Sequence, residues 1–119
     1  MGGVLTEATA TADKLLRRGV TERWTVRCEQ DRGQGFVPQD LSGWTGVVVI
    51  EGSFGEEWLT LPVSTDPVAL KDGFATVTVP ASTLTDVVWA GRKSGSWRMD
   101  MTAPDGHVER LGDGAIRIE

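Results

Sequence analysis

One cysteine, one histidine and no tyrosine occur among the 119 residues. The lone Cys28 excludes an internal disulfide, so the chain is not a stapled secreted scaffold and its stability has to come from packing. One Cys and one His also fall short of the four ligands that a structural zinc requires, and no cofactor is expected. Positive charge is scarce: 12 Lys and Arg stand against 17 Asp and Glu, a net charge of -5. No basic stretch is long enough to follow a phosphate backbone, which argues against nucleic acid as a partner. Apolar runs are short as well, none approaching the roughly 20 residues that cross a bilayer, so no membrane partner is expected. The opening MGGVLTEATATADKLLRRG lacks the continuous apolar core of a signal peptide, and synthesis in a cytoplasm is expected.

What the chain has in quantity is turn chemistry and tryptophan. Its 15 glycines are about twice what an average usage of roughly 7% supplies, which implies many tight turns. The length suits one domain with a real core. From residue 20 onward short alternating runs are separated by Gly, Pro, Asp and Ser. Trp24, Val26 and Cys28 alternate with Thr25, Arg27 and Glu29, which predicts a strand followed by the loop DRGQGFVPQD. WTGVVVIE is apolar on both faces and predicts a central strand. EWLTLPV predicts a strand whose Pro62 suits an edge or an end. STDPVALKDG reads as a loop turning at Lys71-Asp72-Gly73. FATVTV then opposes Ala75, Val77 and Val79 to Phe74, Thr76 and Thr78, until Pro80 ends it. ASTLTDVVWAG is read as a short turn or 3₁₀ segment, with a β-corner as the alternative.

The final stretch GSWRMDMTAPDGHVERLGDGAIRIE alternates Trp97, Met99 and Met101 with Ser96, Arg98 and Asp100. It turns at Pro104-Asp105-Gly106, turns again at a Gly112–Gly114 corner, and ends with Ile116 and Ile118 opposed to Arg117 and Glu119. About seven strands at spacings near 8–12 residues predict an all-β fold, an antiparallel Ig-like β-sandwich over residues 20–119. Residues 1–19 differ in composition and form an N-terminal arm. A short helix over roughly residues 7–18, stopping at Gly19, competes with an extended arm, because three threonines weaken helicity.

No catalytic grouping emerges from the pattern. His107 follows an Asp-Gly turn without a positioned nucleophile beside it. Cys28 falls on the apolar side of its strand, as a small core residue does. The acids Glu56-Glu57 and Asp100, Asp105 and Asp113 lack the spacing of a calcium loop and read as turn and solvated-face residues. The glycines of GSFGEE and GDG read as turns, since the strand, spacing and helix start of a phosphate loop are missing. An enzyme is therefore not expected. Trp24, Trp44 and Trp97 lie on apolar strand faces and are assigned to the core. Trp58 and Trp89, the latter beside Arg92-Lys93, are candidates for an interface or for satellite packing.

The order of these elements resembles the small tail and baseplate β-sandwich proteins of tailed bacteriophages. The residues that carry the likeness are Trp24-Thr25-Val26 after Gly19-Val20-Thr21, the step Asp40-Leu41-Ser42-Gly43-Trp44 opening a strand, and Gly73 before the run ending Val79-Pro80. Gly95-Ser96-Trp97 and the step Asp105-Gly106 through Leu111 before the last strand complete it. The likeness spans residues 20–119 and implies an assembly module. The expectation is a virion structural protein, a minor tail, baseplate or tail-tip adaptor, located in the tail or on the particle surface and made in the host cytoplasm. Its partners would be other virion proteins, with a homo-oligomeric ring or symmetric assembly held through Leu5, Leu15, Leu16, Trp58 and Trp89. The alternatives are a capsid decoration protein and a carbohydrate-binding module contacting the host surface through Trp58 or Trp89.

Overall fold

The structure, a computed structural model, describes residues 10–119 apart from residues 32 and 34. It is all-β in character, with strands β1 Ala10–Thr11, β2 Lys14–Leu16, β3 Glu22–Arg27, β4 Glu29–Asp31, β5 Phe36–Pro38, β6 Thr45–Glu51 and β7 Glu57–Pro62. A five-residue helix α1, Pro67–Lys71, precedes β8 Phe74–Val79, and two 3₁₀ turns, Thr83–Thr85 and Val87–Trp89, lead to β9 Ser94–Thr102 and β10 Val108–Ile118. Two sheets contribute buried residues to one core. One is a six-stranded sheet in the order β1-β10-β9-β6-β7, with β2 also on β10; the other is the antiparallel ladder β3-β8. The two layers thus hold eight strands where about seven were expected, and β4-β5 is a separate small ribbon.

Alternation explains the layering. On the large sheet Val48, Ile50, Trp97, Met99, Met101, Leu111, Ile116 and Ile118 are buried, and on the ladder Trp24, Val26, Ala75, Val77 and Val79 are buried against them. Trp24 meets Trp97 edge to face, centroids 5.5 Å apart. Such a pair adds about 0.5–1.5 kcal/mol to its area burial. The opposite face of the large sheet is wet. There Arg98 pairs with Glu51 and Asp100, and Arg110 donates to Asp100 at 2.8 Å. Strand β6 is interior and β7 is an edge that ends at Pro62, as their sequences predict.

The structure decides one reading that the sequence left open and corrects others. Residues 10–16 are extended, not helical, and they are part of the sheet: β1 and β2 run parallel to β10, with Leu16 opposite Ile118. Leu16 is 1% exposed, and Trp97 Nε1 donates to Ala12 O at 2.8 Å. The sheet is therefore mixed at this edge, not antiparallel throughout. The Gly112–Gly114 corner does not form, because that segment is held extended by β9 on one side and β1 on the other. Leu111 is accommodated by a β-bulge between Arg110 and Gly112, so β10 is a single strand. Residues 67–71, expected as loop, are helical: Asp66 Oδ1 accepts from Val68 N at 3.0 Å and Pro67 occupies the first turn, a capped start that the loop reading overlooked. The loop after Cys28 carries the β4-β5 ribbon. The 3₁₀ reading of residues 81–91 holds.

The step Asp40-Leu41-Ser42-Gly43-Trp44 has a physical explanation. Asp40 Oδ1 accepts from Ser42 N at 2.8 Å, Gly43 takes a φ of +80°, and Trp44 N donates to Leu41 O at 3.0 Å. Only glycine enters that region without strain. The result buries Leu41 and Trp44 on either side of an exposed turn. Asp105 repeats the device, its Oδ1 accepting from His107 N at 2.9 Å.

Candidate functional site

The register places three connections at one end of the large sheet. Strand β6 ends at Glu51, opposite Ser96 near the start of β9, and β2 ends at Leu16, opposite Ile118 near the end of β10. The β6-β7 hairpin, the 3₁₀ turns and the turn after β2 therefore share this end. The opposite end carries α1, the Asp40–Trp44 turn and the β9-β10 hairpin.

At the hairpin end Trp58 is the bulged residue of β7, since Ile50 pairs with Leu59 and Glu51 with Glu57. The bulge turns its indole inward over Gly95. A Cβ at Gly95 would meet Trp58 Cζ3 at 3.0 Å and collide with the Glu51 carbonyl oxygen, so glycine is needed for the ring to lie there. Trp58 in turn meets Trp89 edge to face at 5.9 Å. The Arg92 guanidinium lies 4.7 Å from the Trp89 centroid and 5.2 Å from that of Trp58, a cation–π arrangement. Arg18 Nη2 donates to Trp89 O at 2.9 Å and to Arg92 O at 2.8 Å, tying the second 3₁₀ turn to the chain leaving β2. Asp86 Oδ1 caps that turn by accepting from Val88 N.

This base supports an apolar surface. Phe54, at the tip of the β6-β7 hairpin, is 96% exposed, Val87 is 85% exposed and Val88 is 56% exposed. The three lie at the same end of the large sheet, and the core closes without them. The sequence reading pointed to the plinth and missed the surface. Of the five expected contact residues, Trp89 is 4% exposed and Leu16 belongs to the core, so both are corrections. Trp58 is half-buried against Trp89 and Arg92, and Leu15 is 40% exposed on the wet face. Leu5 lies outside the described residues. The signal for Phe54 was available: a phenyl ring between Ser53 and Gly55 in a turn has no periodic apolar partner.

The groups considered for chemistry are placed as follows. Cys28 is buried, and its thiol is pushed up to about 11 by burial first, with Glu109 and Glu29 acting in the same direction. It is a thiol and a poor nucleophile. His107 lies on the surface with Nε2 2.6 Å from Glu109 Oε1. The Asp40 carboxyl is held below the usual range by hydrogen bonds from Ser42. Among the described residues no three His, Cys, Asp or Glu side chains converge as metal ligands. Grooves lined by described residues include one of about 500 Å³ beside Lys14, Lys93 and Arg117, one of about 520 Å³ between β7 and β8, and one of about 270 Å³ beside Trp44, Pro67 and Leu70. No protein-family model and no curated protein matches the sequence.

Proposed function

We propose that this chain is a structural component of a tailed-bacteriophage virion, a minor tail, baseplate or tail-tip adaptor that acts by being held between neighbours. The observation that carries the reading is that Phe54, Val87 and Val88 are left exposed at the end of the large sheet that also holds the Trp58-Trp89-Arg92 cluster. The fold supports it in a second way. The strand order β7-β6-β9-β10 and the separate pair β3-β8 are the neighbours expected of C′-C-F-G and B-E in an Ig-like sandwich, the class that the resemblance of Asp40–Trp44 and Asp105–Leu111 implies. Both steps build turns that aim buried residues inward and leave polar tips outside, which suits a scaffold that presents loops to partners. Other virion proteins and further copies of this chain are the proposed partners, and the particle is the proposed location.

Mass spectrometry of purified particles tests this reading: the chain is expected among the virion proteins at a fixed copy number, and its absence from intact particles refutes it. A capsid decoration protein would use the same apolar end, and locating the density on the particle by microscopy separates tail from capsid. A glycan module working through tryptophan is less well supported, because Trp89 is 4% exposed and Arg92 lies against both indoles of the pair.

A further inference from the structure

We propose that copies of this chain are joined by strand addition, residues 2–9 of one copy lying along the open edge of β8 in the next. The inference rests on the assembly role above and names the contact that performs it. Hydrogen bonding defines the edge. Among the described residues β8 pairs with β3 alone. On the other side Thr76 O accepts from Ser64 N at 2.8 Å, so the Thr76 carbonyl faces away from β3, and by alternation the N–H and C=O of Thr78 do as well. The 2.7 Å contact between Thr25 Oγ1 and Thr76 Oγ1 fits that pairing, in which the side chains come closest where the backbones do not bond. The chain beside β8 leaves it at Ser64, because Glu57–Pro62 is paired with β6, and Pro62 has no N–H to offer Thr78. Here lies the groove of about 520 Å³, with Leu61, Pro62 and Val63 on one side and Thr76, Thr78 and Pro80 on the other. No charged residue lines it. Main-chain donors and acceptors that repeat along a strand, beside an apolar wall, are matched by another strand. The ligand class is therefore an extended polypeptide with no charge on its inward face.

Three observations select the N-terminal segment of a second copy. The first is its sequence: Val4, Thr6 and Ala8 alternate with Leu5, Glu7 and Thr9, so a strand made of them offers an uncharged face to Leu61 and Val63. The second is charge. Arg23 Nε donates to Thr78 Oγ1 at 3.2 Å, which holds an exposed guanidinium over the outer face of β8, and Arg23 makes no ion pair among the described residues. In a strand added beside Thr78, Glu7 on the outward face lies one strand spacing from that guanidinium. The third is topology. The segment leads into β1, and β1 and β7 are opposite edges of the large sheet. Four strand spacings, about 19 Å, take about six extended residues to cross. Too few of the nine before Ala10 then remain to lie along β8 of the same molecule, so the edge they meet is a neighbour's. A segment leaving at one edge and a groove at the other make the contact heterologous, the kind that builds rings when the rotation closes.

The experiment is sedimentation velocity of the full chain over a concentration series, beside four variants. Thr78→Pro removes the outward N–H and breaks no bond to β3; it is expected to weaken association by about 10-fold or more, the loss of one net hydrogen bond and of close approach. Glu7→Arg and Arg23→Glu each set like charges side by side, and each is expected to weaken association about 5-fold. The double variant Glu7→Arg with Arg23→Glu restores opposite charges and is expected to associate within about threefold of the parent. Thermal melts within a few degrees of the parent show that the variants fold, and the charge exchange at exposed positions decides the matter if Thr78→Pro does not. A parent chain that stays monomeric to about 0.5 mM, a folded Thr78→Pro variant that associates like the parent, or a double variant no better than its single members overturns the contact. Particle incorporation is read separately by mass spectrometry. A chain found in virions but monomeric in solution refutes the strand addition alone, and one that associates as described but is absent from particles refutes the virion role alone.

Discussion

Leu15 and Leu16 are adjacent, chemically identical and on opposite faces of β2, and together they decide whether the N-terminal segment is an arm or part of the fold. Leu16 is 1% exposed in the common core, while Leu15 is 40% exposed beside Arg117. Truncating Leu16 to Ala removes about 1.5–3 kcal/mol of transfer free energy, and the cavity left behind raises the cost to about 2–5 kcal/mol. The site has little room to collapse, because Glu119 N donates to Leu16 O at 2.9 Å and Arg18 N to Glu119 O at 2.7 Å, pinning the backbone on both sides. A loss of about 3 kcal/mol is a large share of the roughly 5–15 kcal/mol stability of a domain. At this chain length it corresponds to a Tm lower by roughly 10–15 °C. Leu15→Ala, on the wet face, is expected to stay within about 0.5 kcal/mol of the parent. Urea unfolding followed by tryptophan fluorescence measures both, since Trp97 is tied to Ala12 and senses loss of this edge. Equal and small effects at both positions would show that β2 is undocked in the isolated chain and would refute the parallel pairing as a source of stability.

Two further outcomes follow from the core and the site. Gly95→Ala drives a Cβ into the Glu51 carbonyl and against Trp58, so a loss of about 1–3 kcal/mol or more is expected by thermal melting; Gly91→Ala, with open space around it, is the control and should be near neutral. Cys28, raised from 9.0 to about 11 by burial, keeps its proton when folded at pH values where the unfolded chain has lost it. Its contribution to stability is complete below about pH 9 and falls by about 1.4 kcal/mol per unit as pH rises toward 11. Alkylation with iodoacetamide at pH 8 should accordingly proceed only as fast as the protein opens. Rapid modification of the native protein, or an unfolding midpoint in Cys28→Ala with the same dependence on pH from 9 to 11 as the parent, would contradict the buried placement.

The run Phe74–Val79 shows how much can be read locally. Ala75, Val77 and Val79 are buried and their neighbours are not, because a strand's two-residue repeat assigns faces without reference to any partner. The same logic placed Trp24, Trp97, Met99 and Met101 in the core and Pro62 on an edge strand. The Asp105 turn was legible too, since side chain and backbone bond within three residues; the same bonding at Asp40 lay in a step noted only for opening a strand. Local signals failed where a distant partner decides. Gly112–Gly114 carries every mark of a corner, yet β9 and β1 keep it extended. Helix propensity competed with an extended path over residues 10–16 until the open side of β10 supplied hydrogen bonds. In the short α1 the Asp66 cap was overlooked beside the stronger turn signal at Lys71–Gly73.

The candidate site divides along the same line. Trp58 and Trp89 stood out because tryptophan is large and amphipathic, but composition cannot say whether a large ring covers a surface or lies beneath one. Only the bulge in β7 and the space over Gly95 turned Trp58 inward onto Trp89, leaving Phe54, Val87 and Val88 outermost. By itself the amino-acid order determined which residues alternate, where the chain can turn and what chemistry is scarce, because these depend on neighbours a few bonds away. Tertiary structure alone decided which edge accepts the N-terminal strand and which apolar groups remain in water, because coverage depends on segments brought together across some hundred residues of chain, as Lys14 is beside Ile116.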